Sequence, residues 1–142
     1  MPRVLYDSSI YIASLRAGHD AALRLRRLTS GASLWLSSVV LEELYAGANS
    51  RAQKVLERFE RDFDRAKRIV VPSLTDWSRC GKLLALLAAK YDYEQIGQGR
   101  LTNDALIATS AARMGITVIT ANKRDFARIA EIRPFPWQLQ SP

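Results

Sequence analysis

The sequence predicts an α/β fold: a three-layer α/β/α sandwich around a central, mostly parallel sheet. Three observations predict it. Short β-branched segments alternate with longer helical ones along the chain. The segments "RVLYD", "SLWLS", "RIVVP" and "ITVIT" read as short strands, each followed by a helical stretch. The 142 residues, 48% hydrophobic and 25% charged, suit one domain with a core of its own, so residues 1–142 are taken as a single domain.

The elements follow in order. "RVLYD" is a strand ending at Asp7, and a short helix runs from about Ser8 to Leu15. Residues 19–29 form a basic amphipathic helix, stopped by Ser30 and Gly31. "SLWLS" (33–37) is a second strand, after which Ser37 or Ser38 caps a helix through "VVLEELYAG". A long helix covers about 50–66. "RIVVP" (68–72) is a third strand, stopped by Pro72. Ser73 or Thr75 caps a helix reaching Tyr91, and "GQG" (97–99) is a loop. A helix over 101–114 ends at Gly115. "ITVIT" (116–120), a short helix at about 123–130 and an edge strand in "RPFPW" complete the chain.

Composition excludes several kinds of chemistry. Cys80 is the sole cysteine, so there is no intrachain disulfide and no cysteine zinc site. His19 is the sole histidine, which leaves a Ser-His-Asp triad dependent on that one residue. The longest apolar run, "LLALLAA", is too short to span a bilayer, and no signal-like segment opens the chain. The expectation is a cytoplasmic protein whose chemistry, if it has any, is done by carboxylates. The net charge of +7 points to polyanionic partners, nucleic acid first and an acidic protein second.

In a parallel sheet, ligands sit beyond the carboxyl ends of the strands. Asp7 follows the first strand; Asn122 and Asp125 follow the fourth. Two further acids fall on inward helix faces. At about 100° per residue, Leu101, Ala105, Ile107, Ala108, Ala111 and Ala112 form one arc, with Leu106 off it and Asp104 in its middle. In "SSVVLEELYAG" the inward face is Val39, Val40, Leu44 and Gly47. Glu43 lies among them, while Glu42 points away. Each acid also has a plainer role open to it. Asp7 suits a cap of the next helix, Glu43 a snorkelling edge residue, and Asp125 a third-position acid behind an Asn122 cap. Asp104 suits a pair with a buried arginine or a helix N-terminus.

Taken together, three or four carboxylates in one cleft repel each other unless a cation neutralises them. Oxygen ligands without His or Cys suit Mg²⁺ or Mn²⁺. A carboxylate-held metal that activates water against a phosphodiester is nuclease chemistry.

The segments "VLYDSSIYI", "SSVVLEELYAG", "LTNDALIATSAARMGITVIT" and "ANKRDF" resemble, in order and over about residues 3–130, the signature segments of PIN domains. The resemblance is to the VapC-type toxin ribonucleases of toxin–antitoxin pairs. It implies a Mg²⁺-dependent endoribonuclease with RNA as substrate, a VapB-like antitoxin that occludes the site, and a homodimer. It maps Asp7, Glu43 and Asp104 onto the family's acids. Many members carry an acid at the position of Asn122; here the nearby acid is Asp125, which takes a supporting role. Ser9, Thr120 and Asn122 are polar support. On this reading Asp7 and Asp104 ligate the principal Mg²⁺, Glu43 is a further ligand or orients water, and Asp125 assists a second ion. The alternative is a non-catalytic PIN-like RNA-binding module. A haloacid-dehalogenase-type phosphohydrolase lacks support, since "DSS" stands where Asp-x-Asp is needed.

Arg51, Lys54, Arg58, Arg61, Arg65 and Arg68 form one stripe beside the apolar set Ala52, Val55, Leu56, Phe59, Phe63 and Ala66. The stripe suits an RNA track, a solvated face with ion pairs such as Glu57–Arg61, or a dock for an acidic antitoxin segment. Trp35, Trp77 and Trp137 suit base stacking or a place in the core or an interface; Trp35, in a strand, and Cys80 read as structural.

Overall fold

A computed structural model describes residues 1–16, 31–91 and 99–140. Strands β1 (Arg3–Tyr6), β2 (Ser33–Ser37), β3 (Ile69–Val70), β4 (Thr117–Thr120) and β5 (Trp137–Leu139) form one sheet in the order β3-β2-β1-β4-β5. Every pairing is parallel. The described helices are α1 (Ser8–Arg16), α2 (Ser38–Ala46), α3 (Ser50–Arg65), α4 (Leu74–Lys90), α5 (Gly99–Met114) and α6 (Lys123–Ile132). The basic helix expected at 19–29 and most of the loop at 97–99 lie outside the described residues; Gly99 itself opens α5.

Right-handed crossovers place the connections β1–β2 and β2–β3 on one face of the sheet and β3–β4 and β4–β5 on the other. The packing agrees. α1 and α3 both lie against α2, while α4, α5 and α6 pack on one another. The result is the expected α/β/α sandwich, with a sheet that is parallel throughout. Leu5 and Tyr6 of β1 and Val118 of β4 are fully buried, as strands covered on both faces are.

Local chemistry sets the helix ends. The Ser37 side chain accepts from Val39 N at 3.2 Å to cap α2. Ser73 caps α4 in a reciprocal capping box with Asp76. Gly115, at φ +67°, ends α5. Its N–H donates to Ala112 O and that of Ile116 to Ala111 O, which satisfies two terminal carbonyls. α3 ends with the same bonding pattern, but Lys67 takes the left-handed position at φ 56°. Arg68 therefore leaves the helix, and the expected basic stripe stops at Arg65.

The one-faced reading of α5 needs correction. Residues 104–111 are all buried, including Leu106, while Ala112 is exposed. α5 packs against α2, α4, α6, β3 and β4, so neighbours cover nearly its whole circumference. Two of its buried hydroxyls bond back to the helix: Thr109 Oγ1 donates to Ala105 O and Ser110 Oγ to Leu106 O, both at 2.7 Å. Gly47, Val55 and Ala66, expected on inward stripes, are also exposed. Trp77 is exposed at the start of α4, whereas Trp35 and Trp137 are half-buried. Cys80 is buried, its thiol directed at Thr102 O. Among the described residues no helix is long and apolar enough to cross a membrane.

Candidate active site

β1 pairs with β2 on one side and β4 on the other, and the chain winds away from it in both directions. The crevice between the carboxyl ends of β1 and β4 is thus the switch point of the sheet, where open α/β folds place ligands. The register Tyr6↔Ile119 sets Asp7 beside Thr120, and Asp7 N donates to Ile119 O at 3.1 Å.

A continuous hydrogen-bonded chain starts there. Thr120 Oγ1 donates to Asp7 Oδ2 at 2.7 Å, and Ser9 Oγ donates to Asp7 Oδ1 at 2.5 Å. Ser9 Oγ in turn accepts from Ala121 N, and Thr120 Oγ1 accepts from Asn122 N at 2.9 Å. Asn122 Nδ2 then donates to Asp125 Oδ2 at 3.0 Å and to Asp104 Oδ2 at 3.4 Å. Three predicted carboxylates and the three predicted polar supports are thereby linked. Asp7 and Asp104 are buried, at 3% and 4% exposure, and Thr120 is fully enclosed.

The plainer roles coexist with this arrangement. The backbone N–H groups of Ser9 and Ile10 donate to the Asp7 carboxylate, so it caps α1. Asn122 caps α6 through Oδ1, which accepts from Asp125 N at 3.4 Å. Capping fixes the geometry by which these side chains reach the crevice. Burial pushes the Asp7 pKa above its ordinary value, against the opposing pull of the Ser9 and Thr120 hydroxyls and the two amides.

Glu43 is half-buried and Glu42 exposed, as the helical spacing requires. Glu43 lines a cleft of about 370 Å³ together with Ile12 and Leu15 of α1 and Asn49 and Ala52 at the start of α3. Among the described residues, no three His, Cys, Asp or Glu side chains close into a ready metal cage. The donor set still fits a hard cation. Mg²⁺ keeps several waters and takes only one or two carboxylates directly, and Asp7, Asp104 and Asp125 supply oxygen donors in one linked group.

Asp76 was missed by the sequence reading. It is fully buried, accepts from Arg113 Nε at 2.9 and 3.1 Å and completes the α4 capping box through Ser73 N. This is the carboxylate–arginine pair that sequence reasoning considered for Asp104. The Ser-x-x-Asp signature of "SLTD" was the available signal.

A family model described as "PIN domain" matches residues 4–132. Among curated proteins none matches the sequence. Among solved structures, the DNA-bound VapBC of Salmonella typhimurium is similar at TM-score 0.66 and 22% identity, over 98% of this chain and 98% of that one. VapBC2 of Rickettsia felis, bound to a promoter DNA fragment, is similar at TM-score 0.62 and 22% identity, over 97% and 98% respectively. At this identity the likeness shows the shared fold.

Proposed function

The chain belongs to the PIN-domain family, and on that footing we propose that it is a Mg²⁺-dependent endoribonuclease, the toxin of a VapBC-type toxin–antitoxin pair. The observation that carries this reading is the chain of bonds from Asp7 through Thr120 and Asn122 to Asp104 and Asp125 at the switch point of the sheet. Likeness over nearly the full length to chains of two VapBC complexes supports the toxin assignment and a VapB-like antitoxin as partner. A homodimer and a cytoplasmic setting belong to the same reading.

Asp7 and Asp104 would hold Mg²⁺, with Mn²⁺ as a substitute, and Glu43 would add a ligand or orient water from α2. Asp125 would serve a second ion. Such a bound ion supplies a water of lowered pKa and an offset to the charge on the scissile phosphate. The residues of the chain do the positioning. Thr120 and Ser9 fix the Asp7 carboxylate plane by donating one hydroxyl to each oxygen. Asn122 holds Asp104 and Asp125 together by giving each an N–H, without adding a further charge. Hydrolysis in this manner leaves a 5′-phosphate and a 3′-hydroxyl.

The test is cleavage of total RNA by purified protein with Mg²⁺, Mn²⁺ or EDTA, beside Asp7→Ala and Asp104→Ala. Cuts that need the metal and vanish in both folded variants are expected, a loss of at least ~100-fold for groups of this kind. Metal-independent cleavage, or wild-type rates in the variants, would overturn the assignment. RNA binding without cleavage would make the chain a PIN-like binding module.

A further inference from the structure

The long helix α3 carries Arg51, Lys54, Arg58, Arg61 and Arg65 at spacings of three and four, so all five lie on one stripe. Every one is exposed. The plain account of such a stripe is a face neutralised by its own acids. Among the described residues no stripe cation closes an ion pair, although Glu57 and Asp62 of the same helix flank the stripe. The ion pairs formed among them are Lys90–Glu131 and Arg113–Asp76. Glu57 and Arg61 do not close on each other. Glu60 is drawn to the opposite side of the helix, where Tyr45 Oη donates to it at 2.9 Å. The stripe therefore presents five cations to solvent over about 21 Å of helix axis.

Its position is the second observation. Asn49, which caps α3, and Ala52 in its first turn line the cleft that also holds Glu43. Arg51 stands between them in sequence, about 100° around the helix from Ala52, so the stripe starts within the same first turn of α3 and runs away from the cleft. We infer that this stripe is the track for the phosphodiester backbone of a single-stranded RNA whose adjoining segment lies in the cleft. The chemistry favours a polyphosphate backbone. Cations repeated along a line match repeated phosphates, and guanidinium, four of the five, binds phosphate oxygens in bidentate fashion. The inference rests on the ribonuclease reading above and adds where the substrate is held.

The experiment compares two double variants of equal charge loss. Arg58→Gln/Arg61→Gln removes the middle of the stripe. Arg79→Gln/Lys82→Gln removes two exposed cations from α4. Affinity for a labelled mixed-sequence single-stranded RNA is measured in EDTA by fluorescence anisotropy across a salt series, with matching thermal midpoints confirming folding. The stripe pair is expected to weaken binding about tenfold or more and to flatten the slope of log K against log salt by about 1.4, roughly 0.7 per lost phosphate contact. The α4 pair should leave the slope near wild type. Equal losses in both pairs would mean net charge alone acts, and overturn the track. So would wild-type RNA binding by the stripe variant, including the case where it loses affinity for polyglutamate, which would reassign the stripe to an acidic protein segment. Cleavage by wild-type protein with Mg²⁺ is scored separately. Its absence beside an intact stripe effect would sink the nuclease reading and leave the track standing.

Discussion

Asp7 shows how one side chain serves structure and site together. It caps α1, receives the Ser9 and Thr120 hydroxyls, and is held at the sheet's switch point. Because burial raises its pKa in the folded chain, the folded state holds this proton more tightly than the unfolded state does. Ionising Asp7 therefore costs folding free energy. The cost is absent below the ordinary value of 3.8, grows as pH rises from there, and is constant above the folded value. Asp7→Asn is expected to raise the thermal midpoint in EDTA at neutral pH, with the gain fading on acidification, while cleavage is lost. Unfolding curves of both proteins from pH 3 to 8 check this; a gain that stays flat with pH would contradict it. Glu43 was distinguishable from Glu42 in the sequence because rotation along a helix is a local property. The Asp76 cap was legible in "SLTD", but its pairing was not, because its partner Arg113 lies 37 positions away. The same holds for the 113 positions between Asp7 and Thr120.

The helices differ in how far periodicity exposes them. α3 has one open face, so its polar and apolar stripes were legible, with Leu56 buried and the cations out. α5 has none, so its arc assigned Leu106 and Ala112 to the wrong sides. A helix enclosed by several neighbours writes no stripe, because every direction is inward. The ends of α3 and α5 differ in one residue that matters. Gly115 accepts a left-handed φ without strain, whereas Lys67 pays for it with a Cβ. Lys67→Gly is expected to stabilise the protein by about 1 kcal/mol, seen as a higher urea midpoint at unchanged slope. A lower midpoint would show that the Lys67 side chain contributes more than its backbone costs.

Among the described residues the Asp76–Arg113 ion pair ties two helices of one layer together, its carboxylate fully buried. It ties the start of α4 to the end of α5, and Arg113 also donates to Val71 O at the exit of β3. Asp76→Ala removes the pair and half of the capping box. A loss of about 2–4 kcal/mol is expected, in a single transition with all probes coincident. Separate transitions for α4 and the sheet would show that the layers unfold independently.

Composition and local pattern were enough for the α/β class, the strand and helix order over the described residues and the capping serines. These are short-range properties: propensity, rotation per residue and turn chemistry act within a few positions. The strand order, the all-parallel register and the enclosure of α5 were decided only by tertiary packing. So was the meeting of Asp7, Asp104, Asn122 and Asp125. Each depends on which segments distant in the chain lie side by side, and a hydrogen bond between Thr120 and Asp7 exists only once β1 and β4 have paired in register.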